Sequence, residues 1–182
     1  RHVVITSVTR DDLPDGGAAH FAACVQAVRR HCPAATVELL VPDFSGSLTA
    51  LEVVLAARPE VLNHNLETVP RLYPTVRPRA DYRRSLGVVE WAARRGLVSK
   101  SGLMLGLGET HEEMMNVLRD LRRAGCQMLT MGQYLQPSPQ QLPVVEYIPP
   151  QTFHAYATEA RSLGFPSVVA GPLVRSSYKA EG

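Results

Sequence analysis

The sequence predicts an α/β fold: parallel strands covered by helices, curving into most of a barrel. Three observations point there. Apolar runs with little polar alternation, the pattern of strands buried on both faces, take turns with segments of helical periodicity. The units vary in length and share no repeated sequence, which suits βα modules better than a solenoid. Polar strings follow successive strands, and in a parallel α/β fold those strand ends share one mouth. A doubly wound sheet is the neighbouring possibility. No glycine fingerprint follows the first strand to support it, and His111 stands where Gly106-Leu107-Gly108 would need a third glycine.

Arg1 to Val8 is rich in β-branched residues and reads as the first strand, followed by Thr9-Arg10-Asp11-Asp12 and a turn at Pro14 to Gly17. Ala18 to His31 is helical through Phe21, Val25 and Val28 and stops before Pro33. Thr36 to Val41 is the second strand, ending in Pro42-Asp43, and Leu48 to Ala57 is a helix halted by Pro59. Val61 to Leu66 is a third strand carrying Asn63-His64-Asn65, with Glu67 after it. Pro70 to Pro78 is a proline-punctuated loop with room for a short helix. Asp81 caps a helix that runs to Arg95 and ends at Gly96.

Lys100 to Thr110 organises the second half of the chain. Gly102 to Leu107 is a strand alternating glycine with large apolar residues, and such glycines admit another backbone or a flat ligand. Thr110 and Glu113 have capping-box spacing; Met114, Val117, Leu118 and Leu121 recur at helical spacing; Gly125 closes the helix. Met128 to Leu135 completes a βαβ unit. Pro137 to Pro150 is a loop of a length that is often functional. Thr152 to Leu163 is a helix and Ser167 to Val174 a last strand, before Arg175-Ser176-Ser177-Tyr178.

At 182 residues the chain can bury one substantial core, so a single domain is expected. A formal charge of +2 is too small to indicate nucleic-acid binding. No run approaches the roughly 18 apolar residues of a membrane helix. Cys24, Cys32 and Cys126 lack metal-site spacing, and their odd number argues against a disulfide framework. Cys24 on an apolar helical face and Cys126 at a strand start are expected to be buried thiols. His111-Glu112-Glu113 lacks the second histidine of a zincin helix, because Met115 holds that position. There is no nucleophile elbow and no phosphate-binding loop. His2, His20, His31 and His154 are scattered, whereas His64 fits a satisfied core histidine and a site residue equally well.

The polar strings at the expected mouth are Ser7 to Asp12, Asp43, Asn63 to Glu67, Glu109, Gln133 with Gln136, and Arg175 to Tyr178. Taken singly, each suits a turn or a cap. Together they form a mouth for a polar, multiply charged small molecule.

Six strings carry a resemblance: TSVTRDDLPDGGAAHF (Thr6 to Phe21), PDFSG (Pro42 to Gly46), NHNLETVPRLYPTVRPRADYRRSL (Asn63 to Leu86), KSGLMLGLGET (Lys100 to Thr110), GQYLQPS (Gly132 to Ser138) and GPLVRSSYKA (Gly171 to Ala180). They resemble the lipoyl synthases, from Arg1 essentially to the end. That resemblance implies a radical S-adenosylmethionine (SAM) enzyme with a partial (β/α)6 barrel. Such enzymes insert two sulfurs at C6 and C8 of an octanoyl chain on a lysine of a lipoyl domain or of the glycine-cleavage H protein. It also implies two 4Fe-4S clusters, SAM, an electron donor such as flavodoxin or ferredoxin, and a bacterial cytoplasm, or a mitochondrion for a eukaryotic source.

By the same resemblance, Gly102, Met104, Gly106 and Glu109 match the glycine strand that lies against adenine. Ser7, Thr9, Asp11 and Asp12 take the place of the motif holding the methionine amino group. Asn63, Asn65 and Glu67 face the ribose and methionyl end; Arg84 or Ser85 help hold SAM, and Gln133 joins the cofactor set. Arg175-Ser176-Ser177-Tyr178 matches the motif whose serine ligates the auxiliary cluster, with Ser177 the first choice and Arg175 its companion. An oxygen ligand on iron that prefers thiolate could leave when sulfur is given up. The CxxxCxxC motif and a second three-cysteine motif are absent from these residues. With a start that is not methionine and runs at once into the apolar Val3-Val4-Ile5, this predicts a piece of a longer chain. The piece would span about the second to the sixth barrel strand, plus a tail from about residue 165, and be inactive alone. A biotin-synthase-like enzyme shares the glycine strand but not RSSY. A cluster-free binding module is the non-catalytic alternative.

Overall fold

A computed structural model describes residues 1–177. Six strands, β1 (His2–Thr6), β2 (Thr36–Leu40), β3 (Val61–Asn63), β4 (Val98–Leu105), β5 (Met128–Gln133) and β6 (Ser167–Ala170), form one sheet in sequential order. Every neighbouring pair is parallel. Sequential order removes the doubly wound alternative, in which the strand order reverses at a switch point. Between the strands run α1 (Ala18–His31), α2 (Leu48–Ala56), α3 (Tyr73–Val76), α4 (Tyr82–Arg94), α5 (His111–Arg123) and α6 (Pro150–Ser162). The result is an open, partly closed barrel.

The helix starts follow their caps. Asp81 accepts from the Arg84 N–H at 2.8 Å, and Ser47 from the Ala50 N–H at 3.2 Å. At α5 both halves of the capping box form, Glu113 N–H to Thr110 at 3.2 Å and Thr110 N–H to Glu113 at 2.8 Å. Helix α6 begins at Pro150, two residues before the expected Thr152, because proline costs nothing in a first turn that has no N–H partner.

Every strand ends short of its expected residue, and two of them by three residues or more. β3 ends at Asn63 rather than Leu66, since the chain bends away after the His64 N–H reaches the Lys100 carbonyl. It returns to β4 through Glu67, whose φ is 67° and whose backbone bridges Leu103. β6 ends at Ala170 rather than Val174, because Pro172 has no N–H for a ladder and residues 171–174 turn.

Outward-facing residues of the sheet pack on the helices in two clusters. Leu39, Leu62 and Val37 meet α1, α2 and α4; Leu103, Leu105, Leu129 and Met131 meet α5 and α6. Cys126 lies in the second cluster. Cys24 is half-buried and Cys32 exposed, so only Cys126 is the expected buried thiol: Cys24 sits at the margin of the α1 apolar face. The interior face holds an ion pair. Lys100 donates to both oxygens of Glu38, at 2.9 and 3.0 Å, with both side chains almost fully buried. Asn63 donates to the same carboxylate at 2.9 Å, and His2 approaches it at 3.4 Å.

Candidate functional site

Above that ion pair the barrel opens at the carboxyl ends of its strands. Two cavities lie there, of about 520 and 410 Å³, and both are lined by Asn65 and Glu67. They are two halves of one mouth divided by the segment after β3. The first half is walled by Ser7, Thr9 and Asp11 after β1, Asp43 after β2, His64, and Arg77 with Arg79. The second is walled by Gly102 and Met104 of β4, Thr130 and Gly132 of β5, and Arg175 with Ser176 from the tail.

Glu67 is the hinge of the arrangement. Its left-handed backbone is a strained state for a residue with a Cβ, of the kind that concentrates at functional positions. The strain is held by the flanking β4 bonds, Glu67 N–H to Gly102 at 3.0 Å and Met104 N–H to the Glu67 carbonyl at 2.7 Å. Burial pushes its carboxyl pKa up, with Asn65 and Arg77 pulling the other way. Next to it, Oδ1 of Asn65 is buried with no partner among the described residues. Opposite, a Cβ on Gly102 would come within 2.7 Å of that oxygen, so Gly102 keeps it clear.

Arg77 was not legible as a site residue in its proline-rich loop. One of its terminal nitrogens donates to the carbonyls of Asn65 at 3.0 Å and Leu66 at 3.3 Å, and also reaches Tyr73 at 3.2 Å and Ser85 at 3.4 Å. It therefore props the Asn65–Glu67 segment from behind. Ser85 is fully buried behind Arg77, while Arg84 lines neither cavity and pairs with Asp43 at 2.6 Å from behind the first. Asp11 faces Arg79 at 3.8 Å. Asp12 is turned outward onto Arg10 at 2.6 Å and lines neither cavity. His64 bonds the Val41 carbonyl through Nδ1 at 2.8 Å, and burial pushes its pKa down to about 4, so it is a neutral wall.

The remaining expected residues are divided between the mouth and its surroundings. Asn63 lies one layer below, on Glu38. Glu109 folds back to accept from the N–H groups of Gly106 at 2.7 Å and Leu107 at 2.9 Å, locking the turn at the end of β4. Gln133 spends its carboxamide on the loop before α6, donating to Tyr134 and Glu146 and accepting from Ile148. Gly106, at φ 98°, is where that loop crosses, since a Cβ there would strike the Glu146 carbonyl and the Gln133 amide. Gln136 is exposed. Ser176 is half-buried on the second cavity and Ser177 exposed just beyond it; Tyr178 lies outside the described residues. Glu38 and Lys100 escaped the sequence reading too. Their signal was there: opposite charges inside two otherwise buried strands, which must pair.

The mouth suits a ligand that brings cations and hydrogen-bond donors to Asn65, Glu67, Asp43 and Asp11. The three cysteines are spread over α1 and the start of β5, and no metal-holding group of three His, Cys, Asp or Glu occurs among the described residues. The chain's own thiols therefore do not form a cluster site. None of the described helices is long and apolar enough to cross a membrane.

A six-stranded parallel sheet in sequential order, with a polar mouth at its strand ends, defines a barrel-type α/β protein with an open polar cavity. Comparison narrows the class. The radical SAM superfamily model matches residues 1–121, and the chain belongs to that superfamily. It is 59% identical over its whole length to a lipoyl synthase of Methylococcus capsulatus, covering 57% of that protein. It is 60% identical over 98% of its length to a lipoyl synthase of Trichlorobacter lovleyi, covering 64%. The chain thus spans about three fifths of the length of these curated relatives. In structure it is similar to a domain of a pyruvate-formate lyase-activating enzyme from Bacteroides vulgatus, with a TM-score of 0.63 over 91% of this chain and 98% of that one at 9% identity. It is likewise similar to methylornithine synthase, with a TM-score of 0.61 over 99% of this chain and 61% of that one at 14% identity. At those identities the likeness concerns the fold alone.

Proposed function

We propose that this chain is the SAM-binding barrel and C-terminal tail of a lipoyl synthase, which places sulfur at C6 and C8 of an octanoyl chain on a protein lysine. The observation that carries the reading is the meeting of three parts at one mouth: the Asn65–Glu67 segment, the Gly102 strand and the Arg175–Ser176 tail. The identities to lipoyl synthases over nearly the whole chain support it.

In this reading SAM, when bound, supplies the oxidising radical. The chain's residues bind and orient it. Asn65 offers its unpaired carbonyl oxygen, and Glu67 and Asp43 offer carboxylates to an ammonium or to ribose hydroxyls. Gly102 seats the Asn65 carboxamide against β4, the glycine strand is the proposed rest for the adenine, and Glu109 and Gln133 hold the turn and loop around it. Ser7, Thr9 and Asp11 close the far wall. Ser177 is the proposed oxygen ligand of an auxiliary cluster, with Arg175 beside it. The cluster thiolates are proposed to come from residues outside this chain's own cysteines. The two units are the core to about residue 165 and the tail beyond it. The partners are an octanoylated lipoyl domain or H protein and a flavodoxin or ferredoxin, in a bacterial cytoplasm.

The test is lipoylation in cells. Cells unable to make lipoyl groups, but supplied with octanoylated lipoyl domain, should regain lipoylated protein when given the enzyme that carries this chain. Octanoyl groups left unchanged by a soluble, cluster-loaded enzyme would refute the reading.

A further inference from the structure

We infer that Gly132 is the seat of the C-terminal segment: a positioning residue that keeps Arg175 and Ser176 at the second cavity. That this placement serves sulfur chemistry rests on the proposed function; the seat itself does not.

On β5 the inward positions alternate, and Thr130 stands beside Gly102, its register partner on the neighbouring strand β4. The next inward position is Gly132. Its backbone is not left-handed, so conformational freedom does not call for glycine there. Close approach does. A Cβ on Gly132 would strike the carbonyl of Val174 and sit 3.2 Å from the Arg175 guanidinium. The tail's main chain therefore rests directly on the β5 backbone.

The path to this contact is built from few bonds. The Gly171 N–H donates to the Met131 carbonyl at 3.1 Å, which continues the β5–β6 pairing by one residue. The Pro172 carbonyl then accepts from the Gln133 N–H at 3.3 Å, and the Val174 N–H turns back to the Gly171 carbonyl at 3.1 Å. This turn drops Val174 inward, 7% exposed, and leaves Leu173 outside at 81%. The Val174 carbonyl lands over Gly132 and also accepts from the Arg175 side chain at 2.7 Å. From there Arg175 and Ser176 line the cavity opposite Gly102 and Met104. A methyl group at position 132 cannot be met by a side-chain rotation, because the obstacle is a peptide carbonyl. At Gly171, in the same turn, a Cβ would meet only a Val174 methyl at an ordinary 3.5 Å.

Amide hydrogen exchange tests the seat on the 182-residue chain, with the Gln133 and Val174 amides as reporters. Gly132→Ala should speed exchange at both by about ten-fold or more while the Leu129 and Met131 amides keep their protection. Gly171→Ala should leave all four unchanged. A chain ending at Ala170 is the second arm. There the Gln133 amide should exchange fast, and adding Gly132→Ala should no longer lower the melting temperature. Unchanged exchange in Gly132→Ala would overturn the inference. So would an equal loss of melting temperature with and without the tail, which would make Gly132 a packing residue of the barrel. If the tail is freed as expected but lipoyl formation does not depend on a tail serine, the seat stands and the sulfur reading falls.

Discussion

Glu67 carries two costs at once, a left-handed backbone and a carboxylate pushed toward neutrality by burial. Replacing it separates them. Glu67→Gly removes the Cβ that makes φ 67° unfavourable and should hold or raise stability by up to about 1 kcal/mol. The same change removes an acceptor at the junction of the cavities and should weaken SAM binding by about ten-fold or more. Melting curves and SAM titration of the cluster-loaded enzyme should therefore move in opposite directions, and Glu67→Gln should lose affinity with little change in stability. His64 gives a pH signature. Its pKa is pushed down to about 4 by burial, so the unfolded chain takes up a proton that the folded chain refuses. The contribution is whole above the ordinary histidine pKa of ~6.5 and is lost as pH falls toward 4, on the order of 3 kcal/mol. Denaturant midpoints between pH 7 and pH 4 should show that slope, and His64→Asn should flatten it. At this scale the polar strings of the sequence named Asn65, Glu67, Asp43 and Arg175, which line the cavities, whereas Arg84, expected from the resemblance, lines neither. It could not tell Asp11, which lines a cavity, from Asp12, which pairs with Arg10 outside, because one residue's difference in direction is a property of the loop.

Among elements, β2 and β4 are joined across β3 by Glu38, Lys100 and Asn63. A buried pair is weak evidence for stability, since two desolvated charges barely recover their hydration. Breaking it is another matter. Lys100→Met should cost about 3–5 kcal/mol by stranding the Glu38 carboxylate, and Glu38→Leu added to it should recover most of that loss. Urea unfolding of Lys100→Met, of Glu38→Leu alone and of the double variant gives the numbers, and additive losses would contradict the assignment. Because β3 is only three residues long and its Asn63 is held by this pair, the double variant should also loosen Asn65 and Glu67 above it. Helices were read well because caps and periodicity are local: Asp81, Thr110 and Glu113 each act within one turn. Strand ends were read long, at Leu66 and Val174, because what ends them is a bond to another strand or a turn onto β5.

For the whole molecule, the order of elements was legible and so was the end of the sheet at which the cavities open, since both follow from the alternation of βα units. What the chain alone could not reveal is how its polar ends divide: Gln133 and Glu109 turn inward to hold backbone, whereas Asn65 is left with an unpaired oxygen. In the proposed function the chain is the ligand-holding part of a sulfur-inserting enzyme, with its tail serving the sulfur step and the Asn65–Glu67 segment serving SAM. The most direct measurement is product analysis by mass spectrometry of an octanoylated lipoyl domain incubated with the cluster-loaded enzyme, SAM and reductant, alongside release of 5′-deoxyadenosine. The account predicts lipoyl product from the parent, and from Ser177→Ala continued 5′-deoxyadenosine release with no sulfur inserted, Ser176→Ala being milder. Lipoyl product at the parent's rate from Ser177→Ala with a full iron complement, or no sulfur inserted by the fully loaded parent, would contradict it.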